Sequence, residues 1–138
     1  MGKKKSGQIE YQVAFGKTFN YYYNKIYSET TLDLIDDFIE HYEEHGFTGW
    51  KGKVAQSNRV PDSYADQAAL IAKANKYKLW HVHIGAPKWI KSRYGQYYTS
   101  EWVLHFKRES KYKIVLLDLG WHNPMLLPSD DICEEETV

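Results

Sequence analysis

The chain has 138 residues, 43% of them apolar and 26% charged, with 18 Lys/Arg balanced by 18 Asp/Glu. That length and apolar content predict one domain with a real core rather than two, and no run approaches the 18 or so apolar residues of a membrane span. The Met-Gly-Lys-Lys-Lys start lacks the apolar stretch of a secretory signal, and the lone Cys133 excludes both an internal disulfide and a cysteine-based zinc cage. A protein that stays in the reducing cytoplasm, with no membrane partner, is therefore expected. The zero net charge is segregated along the chain. Residues 1–46 carry five Lys/Arg against eight Asp/Glu, residues 47–113 thirteen against four, and residues 114–138 none against six. The positive middle would attract polyanions at long range; the competing account is a solvated basic face paired with the acidic ends.

In chain order, Tyr11, Val13 and Phe15 alternate with polar residues and predict a strand running on toward Phe19, with the Tyr21-Tyr22-Tyr23 run leaving its register open. Leu32, Ile35, Phe38, Ile39 and Tyr42 recur at helical spacing and predict a helix over 30–45, with Thr30 and Asp33 as a capping box and Gly46 as its stop. Its acids, Asp36, Asp37, Glu40, Glu43 and Glu44, should face outward. Residues 46–61 read as a basic loop with Lys51, Lys53 and Arg59 around Trp50. A second helix is predicted over 61–75, with Tyr64, Ala68, Ile71 and Ala72 on one side. Three strands follow, over 78–85, 101–107 and 112–119, the last apolar almost throughout and so buried on both faces. The fold expected is α+β: a small antiparallel-rich sheet with an N-terminal strand and two helices on one face. The single domain 1–138 would have its core over about 8–125 and a mobile acidic tail, 126–138, in which Cys133 is incidental.

Alternation on the 78–85 strand sends Trp80, Val82 and Ile84 inward and hence His81 and His83 outward together. Antiparallel pairing with the next strand would place Trp102, Leu104 and Phe106 in the core and add His105 to the histidine face. Three imidazoles then share an open surface, overhung by a loop bearing Lys88, Trp89, Lys91, Arg93, Tyr94, Tyr97 and Tyr98, with His122 at its edge. These residue types suit RNA cleavage by the 2′-hydroxyl, which needs a base, an acid and fixed positive charge for the phosphorane-like transition state. The candidate catalytic set is His83, His81, His105, Arg93, Tyr98 and His122, with His83 best placed as acid or base. Lys51, Lys53, Lys88, Lys91, Trp89, Tyr94 and Tyr97 are the candidate RNA contacts, cations for phosphates and rings for bases. Each histidine alone is explained as well by a satisfied or solvated ring; the constellation within a basic segment carries the argument. His81, His83 and His105 also form a three-imidazole arrangement for a metal. The lack of a placed acidic partner and the crowding cations weigh against it, so neither metal nor cofactor is expected. No phosphate-binding P-loop or serine-nucleophile motif is present.

The succession of a helix ending near Gly46, a Gly-Lys loop, Leu79-Trp80-His81-Val82-His83-Ile84, then Tyr98-Thr99-Ser100-Glu101-Trp102-Val103-Leu104-His105 and an apolar strand ending at His122 resembles the YafO-type toxins. These belong to the RelE/ParE-like superfamily of bacterial toxin–antitoxin modules. The resemblance covers roughly residues 30 to 125 and is carried by the Trp80-to-His83 strand, Thr99-Ser100 and His122. It implies a RelE-like fold and an endoribonuclease that cuts mRNA, commonly on the ribosome and without a metal, neutralised by a cognate antitoxin. Lys3-Lys4-Lys5 and the acidic tail lie outside the pattern. Two alternatives stay open: a non-catalytic ParE-like inhibitor of a protein target such as DNA gyrase, and a nucleic-acid-binding module.

Overall fold

The computed structural model describes residues 10–93 and 95–138. Five strands form one mixed sheet in the order β1-β7-β6-β3-β2, built from β1 (Gln12–Phe15), β2 (Val54–Gln56), β3 (Leu79–Ala86), β6 (Trp102–Ser110) and β7 (Lys113–Trp121). Two short strands, β4 (Ile90–Lys91) and β5 (Tyr98–Thr99), make a separate ribbon. β1 runs parallel to β7, and every other pairing between these strands is antiparallel. The expected β3–β6 pairing holds, with His81 opposite His105 and Val82 opposite Leu104. β7 lies inside the sheet and buries Ile114 to Leu117 on alternating faces, as its apolar run predicts.

The chain between β1 and β2 forms two helices, α1 (Lys17–Lys25) and α2 (Glu29–His45). α1 replaces the expected extension of the first strand. Phe19 and Tyr23, four residues apart, share one face and pack with Phe15, and that helical spacing outweighs the aromatic preference for extended chain. α2 starts one residue earlier than the periodicity suggests, and its cap is Ser28 rather than Thr30, with Ser28 Oγ accepting from Thr31 N at 3.2 Å. It stops at Gly46, whose φ of 63° favours glycine and whose Cβ would lie 2.7 Å from the Tyr11 ring. Ile35, Phe38 and Tyr42 of α2 and Phe19 of α1 pack on Val82, Ile84, Leu104, Phe106, Ile114 and Leu116.

The second predicted helix is corrected in extent and in place. α3 spans Gln67–Tyr77. Residues 61–66 are turns, fixed by Tyr64 N–H donating to Pro61 O at 3.1 Å and by the Gln67 amide donating to Val60 O and Asp62. Ala74 and Tyr77 of α3 pack on Leu79, Val115 and Leu117, on the face of the sheet opposite α1 and α2. The pair of helices on one face is therefore α1 with α2.

The C-terminal segment is docked rather than mobile. It forms α4 (Asp130–Glu134), capped by Ser129 Oγ, with Cys133 and Ile132 in the same cluster as α3. Thr18 donates from N and Oγ1 to the Glu135 carboxylate at 3.1 and 2.6 Å, Lys107 Nζ donates to Cys133 O at 2.9 Å, and Val138 N donates to Phe15 O at 2.9 Å. The sheet is thus covered on both faces, and no helix among the described residues is long and apolar enough to cross a membrane.

Candidate functional site

The covering of the second face changes the character of the histidines. His83 and His105 are 0% exposed and His81 6%, so the open histidine surface is in fact enclosed. The cause is the chain that the alternation pattern could not place. Residues 57–64, α3 and the segment after β7 close over β3, with Met125 N–H donating to Tyr64 Oη at 2.9 Å to join two of these pieces. His122, half-buried on the segment after β7, completes the group. Its ring lies 4.6 Å from that of His83 and 5.4 Å from that of His81, centroid to centroid. His105 lies beside His81 at 6.3 Å, in space left by Gly120, where a Cβ would come within 3.3 Å of His105 Nε2.

The rings are held from behind. His81 Nδ1 is 2.9 Å from Ser57 Oγ. His83 Nδ1 accepts from Ser100 N–H at 2.8 Å and also lies 3.0 Å from Ser100 O. When Nδ1 accepts that amide proton the ring carries its own proton at Nε2; when it donates to the carbonyl, Nε2 is bare. Among the described residues, His83 Nε2 and both ring nitrogens of His105 have no hydrogen-bond partner.

Burial holds these imidazoles neutral. It pushes His81 down to about 2, with the neighbouring rings and Lys53 adding to the effect, and His83 and His105 down to about 4. His122 is lowered by burial and then by Lys53. As the protein stands, the site histidines are bases and ligands rather than acids.

His81 and His122 open onto a cavity of about 200 Å³, also lined by Lys53, Ser57, Arg59, Pro61, Tyr64 and Asn123. Lys53 is brought there by β2, which approaches β3 so closely that a Cβ on Gly52 would lie 2.0 Å from His83 O. His83 N donates to Lys53 O at 3.0 Å and fixes the register. A larger cleft of about 520 Å³ near Lys78, Trp80, Arg108 and Lys111 contains no histidine.

The remaining predicted residues form a second group. Lys51 Nζ lies 4.9 Å from the Trp89 ring centre and 4.7 Å from that of Tyr98, and the two rings meet edge-on at 6.2 Å. Trp89 covers Gly85, whose φ of 88° and 2.6 Å approach leave no room for a side chain. Tyr98 is therefore engaged with Trp89 and Lys51, and its backbone pairs with Lys51 and Lys53. Lys88, Lys91, Arg93 and Tyr97 are exposed on and beside the β4–β5 ribbon. Tyr94 lies outside the described residues.

The structure thus joins His81, His83, His105, His122 and Lys53 at one site and leaves Arg93 and Tyr98 with the ribbon. The sequence reading did not assign Ser57, Ser100, Arg59 or Tyr64 to the site. Arg59 and Ser100 had a signal, the basic loop and the Thr99-Ser100 pair, whereas Ser57 and Tyr64 had none that strand alternation reveals. No family model matches the chain, and neither curated proteins nor solved structures yield a match.

Proposed function

We propose that this protein is the toxin of a toxin–antitoxin pair, an endoribonuclease that cuts mRNA on the ribosome in the cytoplasm and is restrained by a cognate antitoxin protein. The observation that carries the reading is the meeting of two imidazoles, His81 and His122, with two cations, Lys53 and Arg59, around one small cavity. A phosphodiester bound between Lys53 and Arg59 meets charge-assisted donors, and its negative charge opposes the effect of Lys53 on His122. His81, its Nδ1 proton held by Ser57, presents a bare Nε2 to take the 2′ proton. His122, the most exposed of the four site histidines, gains a proton once the phosphate is bound and returns it to the leaving 5′ oxygen. Lys53 and Arg59 stabilise the extra negative charge of the phosphorane. The Lys51, Trp89 and Tyr98 group, with Lys88, Lys91 and Tyr97 beside it, offers cations and ring faces to the flanking strand.

The RelE-like resemblance is supported by an N-terminal strand and two helices on one face of an antiparallel-rich sheet. The test is transcript integrity in cells expressing the chain, followed by cleavage of RNA by purified protein in EDTA. Cut transcripts and EDTA-resistant cleavage are expected, both lost in His122→Gln. Filamentation with intact transcripts would point instead to inhibition of a protein target.

A further inference from the structure

The side chains of His81, His83 and His122 each offer one ring nitrogen such that all three atoms lie within 4.8 Å of one another. Zinc bound at 2.0–2.1 Å places its tetrahedral nitrogen ligands about 3.3 Å apart, so closing the triad needs side-chain shifts of roughly 1 Å. Two of the rings are fixed on one strand, while His122 is half-buried on the segment after β7. The backing of the fixed rings is of the kind that orients metal ligands: Ser57 Oγ on His81 Nδ1 and Ser100 O on His83 Nδ1; each Nε2 is free to bind when its Nδ1 carries the proton, which on His83 means donating to Ser100 O in place of accepting from Ser100 N–H. His83 Nε2 is wholly enclosed and, among the described residues, has no hydrogen-bond partner, a state that costs free energy unless something occupies it.

We propose that His81, His83 and His122 bind one divalent transition-metal ion of the zinc class. Three neutral imidazoles favour zinc, copper or nickel over magnesium and calcium, which prefer oxygen. The cavity leaves a fourth position open. Lys53 beside it favours an anion there, hydroxide or phosphate, and offsets part of the ion's charge. His105 stands outside the triad: it packs behind His81, so the set is His122 with the β3 pair rather than the His81, His83, His105 trio the alternation suggests. A lone pair on a metal cannot accept a proton, so the ion and the base role of His81 exclude each other. This last consequence rests on the ribonuclease reading, and the metal site does not.

The experiment uses the full chain, stripped with EDTA and titrated with Zn²⁺ by calorimetry and with Co²⁺ by visible absorption. One ion per chain is expected, with the intense visible bands of four-coordinate cobalt. Affinity should fall at least tenfold in His81→Gln and in His122→Gln. It should be unchanged in His45→Gln, which disrupts the neighbouring imidazole pair away from the site, His41 and His45. Absence of saturable binding, the pale spectrum of six-coordinate cobalt, or a loss confined to His45→Gln would overturn the site. Because His122 is half-buried, its variant keeps the test valid even if His81→Gln fails to fold. RNA cleavage is read on the same samples: zinc should slow it and EDTA restore it. An inactive protein that binds zinc as described loses the ribonuclease reading and keeps the metal site; an active protein that binds none does the reverse.

Discussion

His83 and His122 face each other across 4.6 Å, yet one is wholly enclosed and the other half-exposed, so equal substitutions at the two should have unequal effects. His83→Ala empties a packed site and strands the Ser100 N–H, a loss of about 2 to 4 kcal/mol in a urea melt. His122→Ala should cost no more than about 1 kcal/mol while lowering RNA cleavage on the order of a hundredfold. A stable, fully active His122→Ala protein would remove that residue from the chemistry. The same enclosure sets the response to acid. The folded His83 and His105 titrate near 4 and the unfolded rings near 6.5, so between these values the unfolded chain binds more protons and stability drops as pH falls. His105 alone supplies on the order of 3 kcal/mol of this. Asp118, on the far side of the sheet near Tyr27, is pushed up to about 6 by burial and works in the opposite direction, but it is one group against four lowered histidines. Denaturation midpoints should therefore fall steadily from pH 7 to pH 4.5. A flat profile would mean that the imidazoles reach water.

Among the elements, β3 and β6 were legible because alternation is a local property: Trp80 lies opposite Phe106 and Val82 opposite Leu104, and only past a bulge after His83 does the register slip, so that Ala86 rather than Ile84 faces Trp102. α2 was legible for the same reason, its apolar stripe being long and regular. What alternation cannot give is the occupant of the other face. The histidines are polar, and polar residues on a strand ordinarily mean water. Here the covering comes from residues 57–64, from α3, a helix rich in alanine with little amphipathic contrast, and from the segment after β7, which leads into an acidic tail whose composition suggested mobility. The tail packs through Ile132 and Cys133 and engages two of its acids in specific partnerships, Glu135 with Thr18 and Glu134 with Tyr77 Oη. Ending the chain after Pro128 would expose Leu79, Val115 and Leu117 and break the link from Val138 to Phe15. A loss of more than about 2 kcal/mol is expected, against almost none for a tail that merely trails in solvent. Urea melts of the shortened and full chains, read at one pH, decide between these.

Over the whole molecule, docking of the acidic end redistributes the charge that the sequence segregates. Asp130 pairs with Lys73 at 3.3 Å and the α4 backbone accepts from Lys107, so part of the basic middle is answered within the fold. Two sets of the remaining cations lie along the path proposed for RNA. Lys53 and Arg59 line the histidine cavity, while Lys88, Lys91 and Arg93 are exposed on and beside the β4–β5 ribbon. If RNA crosses from ribbon to cavity, the two sets should fail differently. Replacing Lys88, Lys91 and Arg93 together by Ala removes phosphate contacts outside the chemistry. Binding of single-stranded RNA should weaken at low salt, and the slope of log K against log salt should flatten by up to about 2, since each contact on a single strand contributes about 0.7. Cleavage at saturating RNA should persist. Replacing Lys53 and Arg59 should leave most of that slope in place and lower the rate at saturation, because those charges act on the phosphorane more than on the ground state. Equal loss of affinity and of saturated rate in both variants would mean that the ribbon and the cavity do not work as separate parts of one path. An unchanged salt slope in the triple variant would move the RNA elsewhere, with the basic cleft around Lys78, Arg108 and Lys111 as the next surface to neutralise.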